Sequence, residues 1–435
     1  MVCAWFHPGA QGRTVIPLVV HDKGKDSDPS VVERLRSLGP EVPLYLTGNA
    51  ALVAVLSEAL AQDFSRRHPT ATLDAARTRS STLVKLVHAF TREALTNPGH
   101  LHVPRVAVFD EGQRAWDHKR MTKEHQSLGT RGQSEPEVIL QGLESKDWGV
   151  VVVLVGVGQE INNGEPGAEL WVQAAQSRPA AGGKSWHVAG PPDFVSEDHS
   201  GATMTSSLHL RETRRSLGAL WLAEWVEDVL ADRPADARER IRASDFPLVL
   251  TRSLDEARSW LRHHGQHRRF GLVASARAGR LRPYGIEMDA GLQGGINWPR
   301  WFLDRPPSLQ SSTLLEIAAS EFKCQGLEID LVGLCWSWDM VREEGQWHPR
   351  RLDANRLRWN RVSGDRRRFS LNAYRVLLTR ARQGMVLWIP AGSPEDPTRD
   401  PAEMDAVASY LLSCGVTSLP SSGVEPAPVA LQRDL

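Results

Sequence analysis

A short apolar strand that ends in two adjacent acids is the segment of the chain best suited to catalysis. In VAVFDEGQ, Asp110 and Glu111 directly follow residues typical of a buried strand. Hydrolysis of a nucleoside triphosphate needs one carboxylate near Mg²⁺ and a second that orients or deprotonates the attacking water. Asp110 suits the first role and Glu111 the second, while Gln113 is placed to sense the γ-phosphate. The alternative is a solvated acid pair, which is common where a strand ends.

The segment HPGAQGRT partly matches a loop that binds phosphates. In the pattern G-x-x-x-x-G-K-[ST], backbone N–H groups cradle the phosphates, the Lys reaches the outer phosphates and the hydroxyl binds Mg²⁺. Gly12 and Thr14 match this pattern, whereas Arg13 replaces the Lys and His7 replaces the first Gly. Taken alone, the octapeptide is more typical of a Gly-rich turn.

Two further polar segments lie at the ends of apolar runs. VGVGQEIN offers Gln159 as a γ-phosphate sensor after a buried strand, and the alternative is a polar turn. EFKCQGLEID precedes the strand LVGLCW; its Gly326 would permit close approach of the backbone, and its Glu328 could accept a hydrogen bond from a ribose hydroxyl. A rival interpretation takes Glu321 and Lys323 as the E-x-K of a metal-dependent nuclease, but the Asp required on the preceding strand is not evident.

Several arginines lie together in NAYRVLLTRAR, which has the periodicity of a helix. An Arg supplied from a second lobe can stabilise the charge that builds on the phosphates during transfer, and Arg380 is the candidate for this arginine finger. Arg375 and Arg382 are offset around the helix and are expected to pair with other groups. The alternative is a basic helix paired with nearby acids.

A second basic cluster, RLRWNRVSGDRRRFS, contains Trp359 among its arginines. Arginine and aromatic side chains can follow a phosphate backbone and stack on bases, although a solvated surface loop explains the cluster equally well. Most of the tryptophans in this part of the chain are expected to pack in the core. They are Trp298, Trp301, Trp336, Trp338, Trp347 and Trp359.

The elements that must position these residues alternate between apolar strands and amphipathic helices. This alternation predicts an α/β fold with mostly parallel sheets covered on both faces, whose chemistry gathers at the carboxyl ends of the strands. The stretch 177–207 is rich in Gly, Pro and Ser and has little periodicity. We therefore predict an N-terminal lobe over 1–195, a C-terminal lobe over 205–417 and a flexible tail over 418–435.

Composition excludes some classes of protein. The chain carries 52 Lys and Arg against 52 Asp and Glu, so no global basic excess indicates a nucleic-acid partner, although a local basic groove remains compatible with this balance. The four cysteines form no C-x-x-C pair, which disfavours a zinc site and is typical of a reducing cytoplasm. The longest apolar run, VVVVLVGVG, is too short to span a bilayer, so no membrane association is expected.

Five segments, in their order along the chain, resemble one family. They are LYLTGNAALVAVLSEALAQD, VFDEGQRAWD, LVGVGQEIN, EFKCQGLEIDLVGLCW and NAYRVLLTRARQGMVLWIP, and they span Leu44 to Pro390. Together they resemble the bacterial Schlafen group 3-like DNA/RNA helicase domain, a superfamily 1 helicase-like P-loop NTPase. The resemblance implies two RecA-like lobes with ATP and Mg²⁺ between them, and DNA or RNA as the partner.

The resemblance places the family's phosphate loop just upstream of LTGN, where HPGAQGRTVIPLVVHD stands. Arg13 and His7 depart from the family pattern, and so does Gly112, where the family usually has Ala. The expected function is therefore a helicase-like ATPase with impaired hydrolysis, and the alternative is a catalytically inactive nucleotide-binding or scaffolding remnant. The predicted site comprises catalytic Glu111, Gln159 and Arg380; nucleotide-binding Gly12, Arg13, Thr14, Gln113, Gln325, Gly326, Glu328 and Arg382; and metal-binding Asp110 and Thr14.

Overall fold

The first of the two units into which the chain divides is built around a seven-stranded sheet. The computed structural model describes residues 2–6, 43–96, 105–124, 132–144, 148–155, 169–177, 186–191, 203–208, 219–288 and 295–419. The first unit comprises Met1–Arg214 and Trp298–Leu303, and the second comprises Arg215–Asn297 and Asp304–Leu435. The lobe bounds expected from the sequence stay a prediction.

The sheet of the first unit is parallel except at one central strand. Its strands are β1 (Val2–Phe6), β2 (Leu44–Thr47), β3 (Val84–Leu86), β4 (Val106–Asp110), β5 (Gly149–Val153), β6 (His187–Gly190) and β7 (Thr203–Met204), in the order β3-β2-β4-β5-β1-β6-β7. β2 pairs in parallel with β3 and β4, and β4 pairs in parallel with β5. β1 runs antiparallel to both β5 and β6. The carboxyl ends of β2, β4 and β5 therefore share one edge.

Helices cover this sheet, and the first of them shows how the sequence starts them. They are α1 (Ala50–Arg67), α2 (Leu73–Leu83), α3 (Val87–Thr96), α4 (His118–Glu124), α5 (Glu135–Glu144) and α6 (Glu169–Gln176). The Asn49 side chain accepts hydrogen bonds from the backbone N–H groups of Ala51 and Leu52, which caps α1 at its amino end. Arg66 and Arg67 lie in the last turn of α1, where the helix dipole favours cations. Both ends of α1 are thus specified locally.

The core of the first unit lies between the sheet and its helices. Leu46, Phe109 and Val151 come from neighbouring strands and are almost wholly buried, as are Phe90 and Trp171 from the helices. Burying a large apolar side chain stabilises the folded state by roughly 1.5–3 kcal/mol. The core therefore fixes the positions of the strands whose ends carry polar residues.

The second unit contains a six-stranded parallel sheet and a smaller antiparallel one. Its strands are β8 (Leu248–Thr251), β9 (Phe270–Ala274), β10 (Ala318–Ala319), β11 (Ile329–Cys335), β12 (Met340–Glu343), β13 (Gln346–Asp353), β14 (Arg358–Arg361), β15 (Ala381–Trp388) and β16 (Thr417–Ser418). The parallel sheet has the order β10-β9-β11-β15-β8-β16, and β12-β13-β14 form the antiparallel sheet. The antiparallel sheet follows the carboxyl end of β11 in the chain.

Seven further helices complete the described part of the chain. They are α7 (Ala219–Leu230), α8 (Pro234–Arg242), α9 (Leu254–His264), α10 (Trp298–Leu303), α11 (Glu321–Cys324), α12 (Asp365–Leu378) and α13 (Pro401–Ser413). Although α10 lies within the C-terminal lobe expected from the sequence, it packs on α1 and belongs to the first unit. No helix in the described ranges is both long enough and apolar enough to cross a membrane.

Tryptophans pack in the interior of the second unit, and their indole N–H groups donate to backbone carbonyls. Trp336 donates to Met340, and Trp347 donates to Val229, both at 2.8 Å, while Trp338 donates to Asp400 at 2.9 Å. Such bonds satisfy the polar end of a buried indole. The expectation that most of these tryptophans pack in the core is confirmed.

One ion pair between a buried arginine and a partly buried glutamate attaches the antiparallel sheet to α13. The guanidinium of Arg350 on β13 donates to both carboxylate oxygens of Glu403, each at 2.6 Å, and also to the carbonyl oxygen of Trp338. The Arg350 side chain is only 8% exposed. Bidentate pairs of this kind fix geometry as well as charge, so β13 is held firmly against the first turn of α13.

Candidate functional site

The carboxyl edge of the first sheet brings together polar residues from neighbouring strands. Thr47 at the end of β2 pairs with Asp110 at the end of β4, and Phe109 pairs with Val153 near the end of β5. In open α/β sheets, ligands bind outside the carboxyl ends of the strands. The structure therefore places Asp110 at the edge where the sequence analysis expected the chemistry.

A tyrosine on the neighbouring strand orients the Asp110 carboxylate. The Tyr45 hydroxyl on β2 donates a hydrogen bond to Asp110 Oδ2 at 2.5 Å. Such a short bond to a carboxylate is among the stronger hydrogen bonds in proteins. Sequence analysis missed Tyr45, although it lies in the quoted segment LYLTGN, because 65 residues separate it from Asp110 and only strand pairing brings the two together.

Glu111 adopts a left-handed backbone conformation, with φ 57° and ψ 45°. This region costs a non-glycine residue roughly 1 kcal/mol or more and persists where the surroundings enforce it. The surroundings do so here: Gly112 N–H donates to the Leu154 carbonyl at 2.7 Å, and Trp171 Nε1 donates to the Gly112 carbonyl at 2.9 Å. Gln113 Nε2 donates to Glu111 Oε2 at 2.5 Å, which orients the carboxylate. We call residues 110–113 the acidic loop.

Packing explains why Gly occupies position 112. A Cβ atom built on Gly112 would overlap Val153 Cγ1 and would lie 3.3 Å from the Leu154 carbonyl oxygen. It would also lie 3.4 Å from Trp171 Nε1. The change from the Ala that is usual in the resembled family thus fits the close contact between the acidic loop and β5.

A buried carboxylate holds the chain where it leaves the acidic loop. Glu135 is 1% exposed; its Oε2 accepts from the Trp116 backbone N–H at 3.1 Å, and its Oε1 bonds His88 Nδ1 at 2.9 Å. The His88 ring stacks on the Trp116 ring with centroids 3.7 Å apart. These contacts join α3, α5 and the segment after Gln113. Sequence analysis missed them because no motif marks the three residues.

Several predicted residues lie outside the described part of the chain. Gly12, Arg13, Thr14 and Gln159 are among them, and so is His7, so their placement at a nucleotide stays a prediction.

β1 is the strand that precedes the predicted phosphate loop, and it pairs with β5 in the antiparallel direction. Phe6 pairs with Gly149, and Val2 pairs with Val153. β1 therefore ends at the sheet edge opposite Asp110. A phosphate loop that directly follows its strand requires that strand to end at the same edge as the acids. β1 therefore runs in the direction opposite to the one that a phosphate loop at residues 7–14 would require.

In the second unit, the predicted residues gather at the amino edge of the parallel sheet. Ile329 at the start of β11 pairs with Ala381 at the start of β15, so the residues just before both strands are neighbours. Gly326 has φ 75°, which is a conformation that favours glycine. Arg382 Nε lies 3.5 Å from Glu328 Oε2, and its Nη1 lies 3.9 Å from Asp330 Oδ1. Gln325, in the same segment, is buried. The structure thus brings the QGLE and LTRAR segments together.

Arg380, the predicted arginine finger, is 3% exposed. Its Nε donates to the Val376 carbonyl at 2.9 Å, and its Nη1 donates to the Cys324 carbonyl at 3.4 Å. A finger role would require the guanidinium to exchange these bonds for phosphate oxygens, and that role stays a prediction. Arg375 pairs with Glu227 at 2.5 Å, as the expectation that it pairs with other groups requires.

Two buried acids lie beyond the carboxyl ends of strands in the second sheet. Glu321 follows β10 and accepts a hydrogen bond from the Ala276 N–H at 2.8 Å, and burial raises its pKa to about 7. Asp339 follows β11 and accepts from the Tyr374 hydroxyl at 3.0 Å, and burial raises its pKa as well. No group of three metal-ligating side chains occurs among the described residues. The nuclease interpretation of Glu321 stays a prediction from the sequence.

The raised pKa of Glu321 predicts a pH-dependent stability of the second unit. Because the folded-state pKa of about 7 exceeds the ordinary value of 4.5, the folded protein binds this proton more tightly, and stability falls as pH rises through about 7. We expect Glu321→Gln to remove about 3 kcal/mol of pH dependence between about pH 5 and pH 8. Urea unfolding at both pH values measures it. Glu316→Gln, at an exposed acid of the same unit, is the control; equal pH dependence in both variants would contradict the prediction.

Comparison of the sequence with models of known protein families gives a match over most of the chain. Residues 19–391 match the family model described as Schlafen group 3, DNA/RNA helicase domain. The chain belongs to this family. The helicase-like character expected from the sequence is therefore confirmed. The α/β class is confirmed by the two units, each built on a sheet of mostly parallel strands. No curated protein matches the sequence.

Two solved structures also align with this Schlafen group 3 domain. One is the C-terminal domain of a possible DNA helicase from Lactobacillus plantarum WCFS1, at 12% identity, covering 44% of this chain and 96% of that one, with a TM-score of 0.20. The other is the Pif1 helicase from Candida albicans, at 12% identity, covering 88% of this chain and 98% of that one, with a TM-score of 0.28.

Proposed function

We propose that this helicase domain is an ATPase that acts on DNA or RNA, with Mg²⁺-ATP at the acidic loop and with hydrolysis weakened by the altered phosphate loop. The observation that carries the proposal is the geometry of the acidic loop. Asp110 ends a central parallel strand and is oriented by Tyr45, and the next residue, Glu111, is held in a strained conformation beside Gln113. Strain of this kind clusters at functional sites.

The residues of the acidic loop fit a magnesium ion. Mg²⁺ prefers oxygen ligands and, in nucleotide sites, is usually bound by one or two carboxylates together with substrate phosphates and water. Asp110 supplies such an oxygen ligand, and the Tyr45 hydroxyl fixes the direction of its carboxylate. When bound, the ion would neutralise charge on the phosphates. Glu111 is the general base for the attacking water, and its bond from Gln113 holds its carboxylate in one orientation.

A second candidate function is a nucleotide-binding or scaffolding module without turnover. Arg13 and His7 replace two working residues of the phosphate loop. In addition, β1 ends at the edge opposite Asp110, and the Arg380 guanidinium donates to backbone carbonyls. Each of these features would weaken hydrolysis more than it would weaken the fold.

Crosslinking of radiolabelled ATP, with and without Mg²⁺, tests the proposal. We expect Mg²⁺ to strengthen crosslinking to the wild-type chain, and Asp110→Asn to reduce this effect by about tenfold or more, because it removes the charged ligand. Asp74→Asn, at an exposed acid on α2, is the matched control.

Absence of specific crosslinking would refute the ATPase proposal and the nucleotide-binding form of the second candidate, and would leave the scaffolding module. Crosslinking without turnover, whether or not single-stranded DNA, duplex DNA or RNA is added, would favour the second candidate, a nucleotide-gated switch.

A further inference from the structure

Arginines that are distant in the sequence lie around the carboxyl edge of the second sheet. Arg277 follows β9, and its Nη1 donates to Ser370 Oγ on α12 at 2.5 Å. This bond places the first turns of α12 beside the end of β9. Arg366, Arg367 and Arg368 lie in the first turn of α12, directly after β14, and all are exposed.

The antiparallel sheet adds two more arginines on one of its faces. Arg351 pairs with Asn360, and Asp353 pairs with Arg358. Since alternate residues of a strand share a face, Arg351 and Arg358 lie on the same face as diagonal neighbours, about 7–8 Å apart. Both side chains are exposed. We call this face, together with the first turn of α12, the arginine face.

The opposite face of β13 and β14 is engaged inside the protein. Arg350 on that face pairs with Glu403 and lies over the Trp359 ring, 5.3 Å from its centroid. Trp359 Nε1 donates to the Thr398 carbonyl at 3.0 Å. Trp359 therefore packs inward, and the base-stacking role considered for it from the sequence is not supported.

The arginines on and around the arginine face differ in how their charges are compensated; among them, Arg361 lies on the opposite face of β14 and Arg356 lies in the turn between β13 and β14. Arg361 pairs with Glu343, Arg356 lies 4.0 Å from Asp353, and Arg368 lies 3.5 Å from Asp365. By contrast, Arg351, Arg358 and Arg366 make no ion pair with any residue that the structure describes. Three guanidinium groups on neighbouring elements thus make no ion pair with the described residues, while Asp353, which lies opposite Arg358, adds one negative charge to the same face.

We propose that the arginine face binds the sugar–phosphate backbone of a nucleic-acid strand. This inference rests on the proposed function and names one contact surface for its DNA or RNA partner. Guanidinium groups match phosphate oxygens with two parallel hydrogen bonds. Because Trp359 packs inward, the face contacts phosphates and not bases, so binding there is insensitive to sequence and strongly dependent on salt.

Fluorescence anisotropy with labelled oligothymidylate, oligouridylate and a DNA duplex, titrated over a range of salt concentrations, tests the inference. We expect Arg351→Ala with Arg358→Ala to weaken single-strand binding about tenfold at low salt and to reduce the slope of log K against log salt by about 1.4, or about 0.7 for each lost phosphate contact. Arg351→Lys with Arg358→Lys should keep most of the slope because the charges remain.

The matched control is Arg262→Ala with Arg268→Ala. Both arginines are exposed, and they lie at the end of α9 and before β9, on the amino side of the same sheet. Unchanged circular dichroism and melting would show that the variants fold. If wild-type protein binds no oligonucleotide, the proposed function fails.

If the wild type binds and the two alanine double variants behave alike, the arginine face is not the contact surface, while the proposed function stands. Equal wild-type affinity for vesicles of anionic lipid would also overturn the inference, because it would indicate a membrane surface instead.

Discussion

Arg13→Lys combined with His7→Gly is expected to raise ATP turnover by about two orders of magnitude or more, which is the usual effect of one well-placed electrostatic contact in a catalytic site. Arg is planar and bulkier than an ammonium group, so it cannot take the place of the Lys between the outer phosphates. His7 adds a Cβ where the loop pattern has a glycine that can adopt positive φ. Phosphate release, measured with and without single-stranded nucleic acid, reports the gain.

The control for this prediction is the same double variant with Glu111→Gln added, which should return turnover to background. Wild-type turnover that is above background and depends on Glu111 would show that hydrolysis is not impaired. If the double variant binds ATP but gains no turnover, residues 7–14 are not the phosphate loop. The direction of β1, which ends at the edge opposite Asp110, gives that outcome a structural basis.

Glu403→Ala is expected to destabilise the second unit by about 3 kcal/mol, because it removes two hydrogen bonds from a largely buried guanidinium group. The Arg350 side chain is 8% exposed and would keep its bonds to the Trp338 carbonyl and a longer contact, 3.8 Å, with the Glu343 carboxylate. The loss of stability should lower the urea concentration at the midpoint of unfolding. Tryptophan fluorescence reports this transition, because Trp338 and Trp359 both contact Arg350.

Asp405→Ala is the matched control for this prediction. Asp405 lies two residues along α13 and pairs with Arg252, but its side chain is 63% exposed. Exposed pairs contribute about 0–1 kcal/mol, so this variant should unfold close to the wild type. If the two variants shift the urea midpoint equally, burial does not distinguish the pairs and the Arg350–Glu403 contact is not what holds the antiparallel sheet to α13.

Part of the candidate site follows from local sequence. The apolar run before Asp110 encodes a strand, and the two acids mark where it ends, so the placement of Asp110 at a carboxyl edge was predictable. The same holds for Gly326, whose positive φ fits the glycine expected at that point. The juxtaposition of the QGLE and LTRAR segments, by contrast, follows from the pairing of β11 with β15 and was not predicted. Gly12, Arg13, Thr14 and Gln159 stay predictions.

Other parts of the site depend on strand pairing between distant segments. Tyr45 contacts Asp110 across 65 residues of chain, and Glu135 holds both His88 and Trp116 from a different helix. Side-chain periodicity predicts which face of an element is buried, but it carries no information about which element packs against it. No pattern in the sequence could therefore indicate these partners.

The sequence by itself determined the α/β class, the strand ends that carry acids and the family, because each depends on residue type and local spacing. Only the tertiary structure decided the reversed direction of β1, the left-handed backbone at Glu111 and the inward packing of Trp359. It also brought Arg277 beside α12 and buried Glu321. The physical reason is that register, burial and the compensation of charge arise from contacts between elements, and these exist only once the sheets have formed.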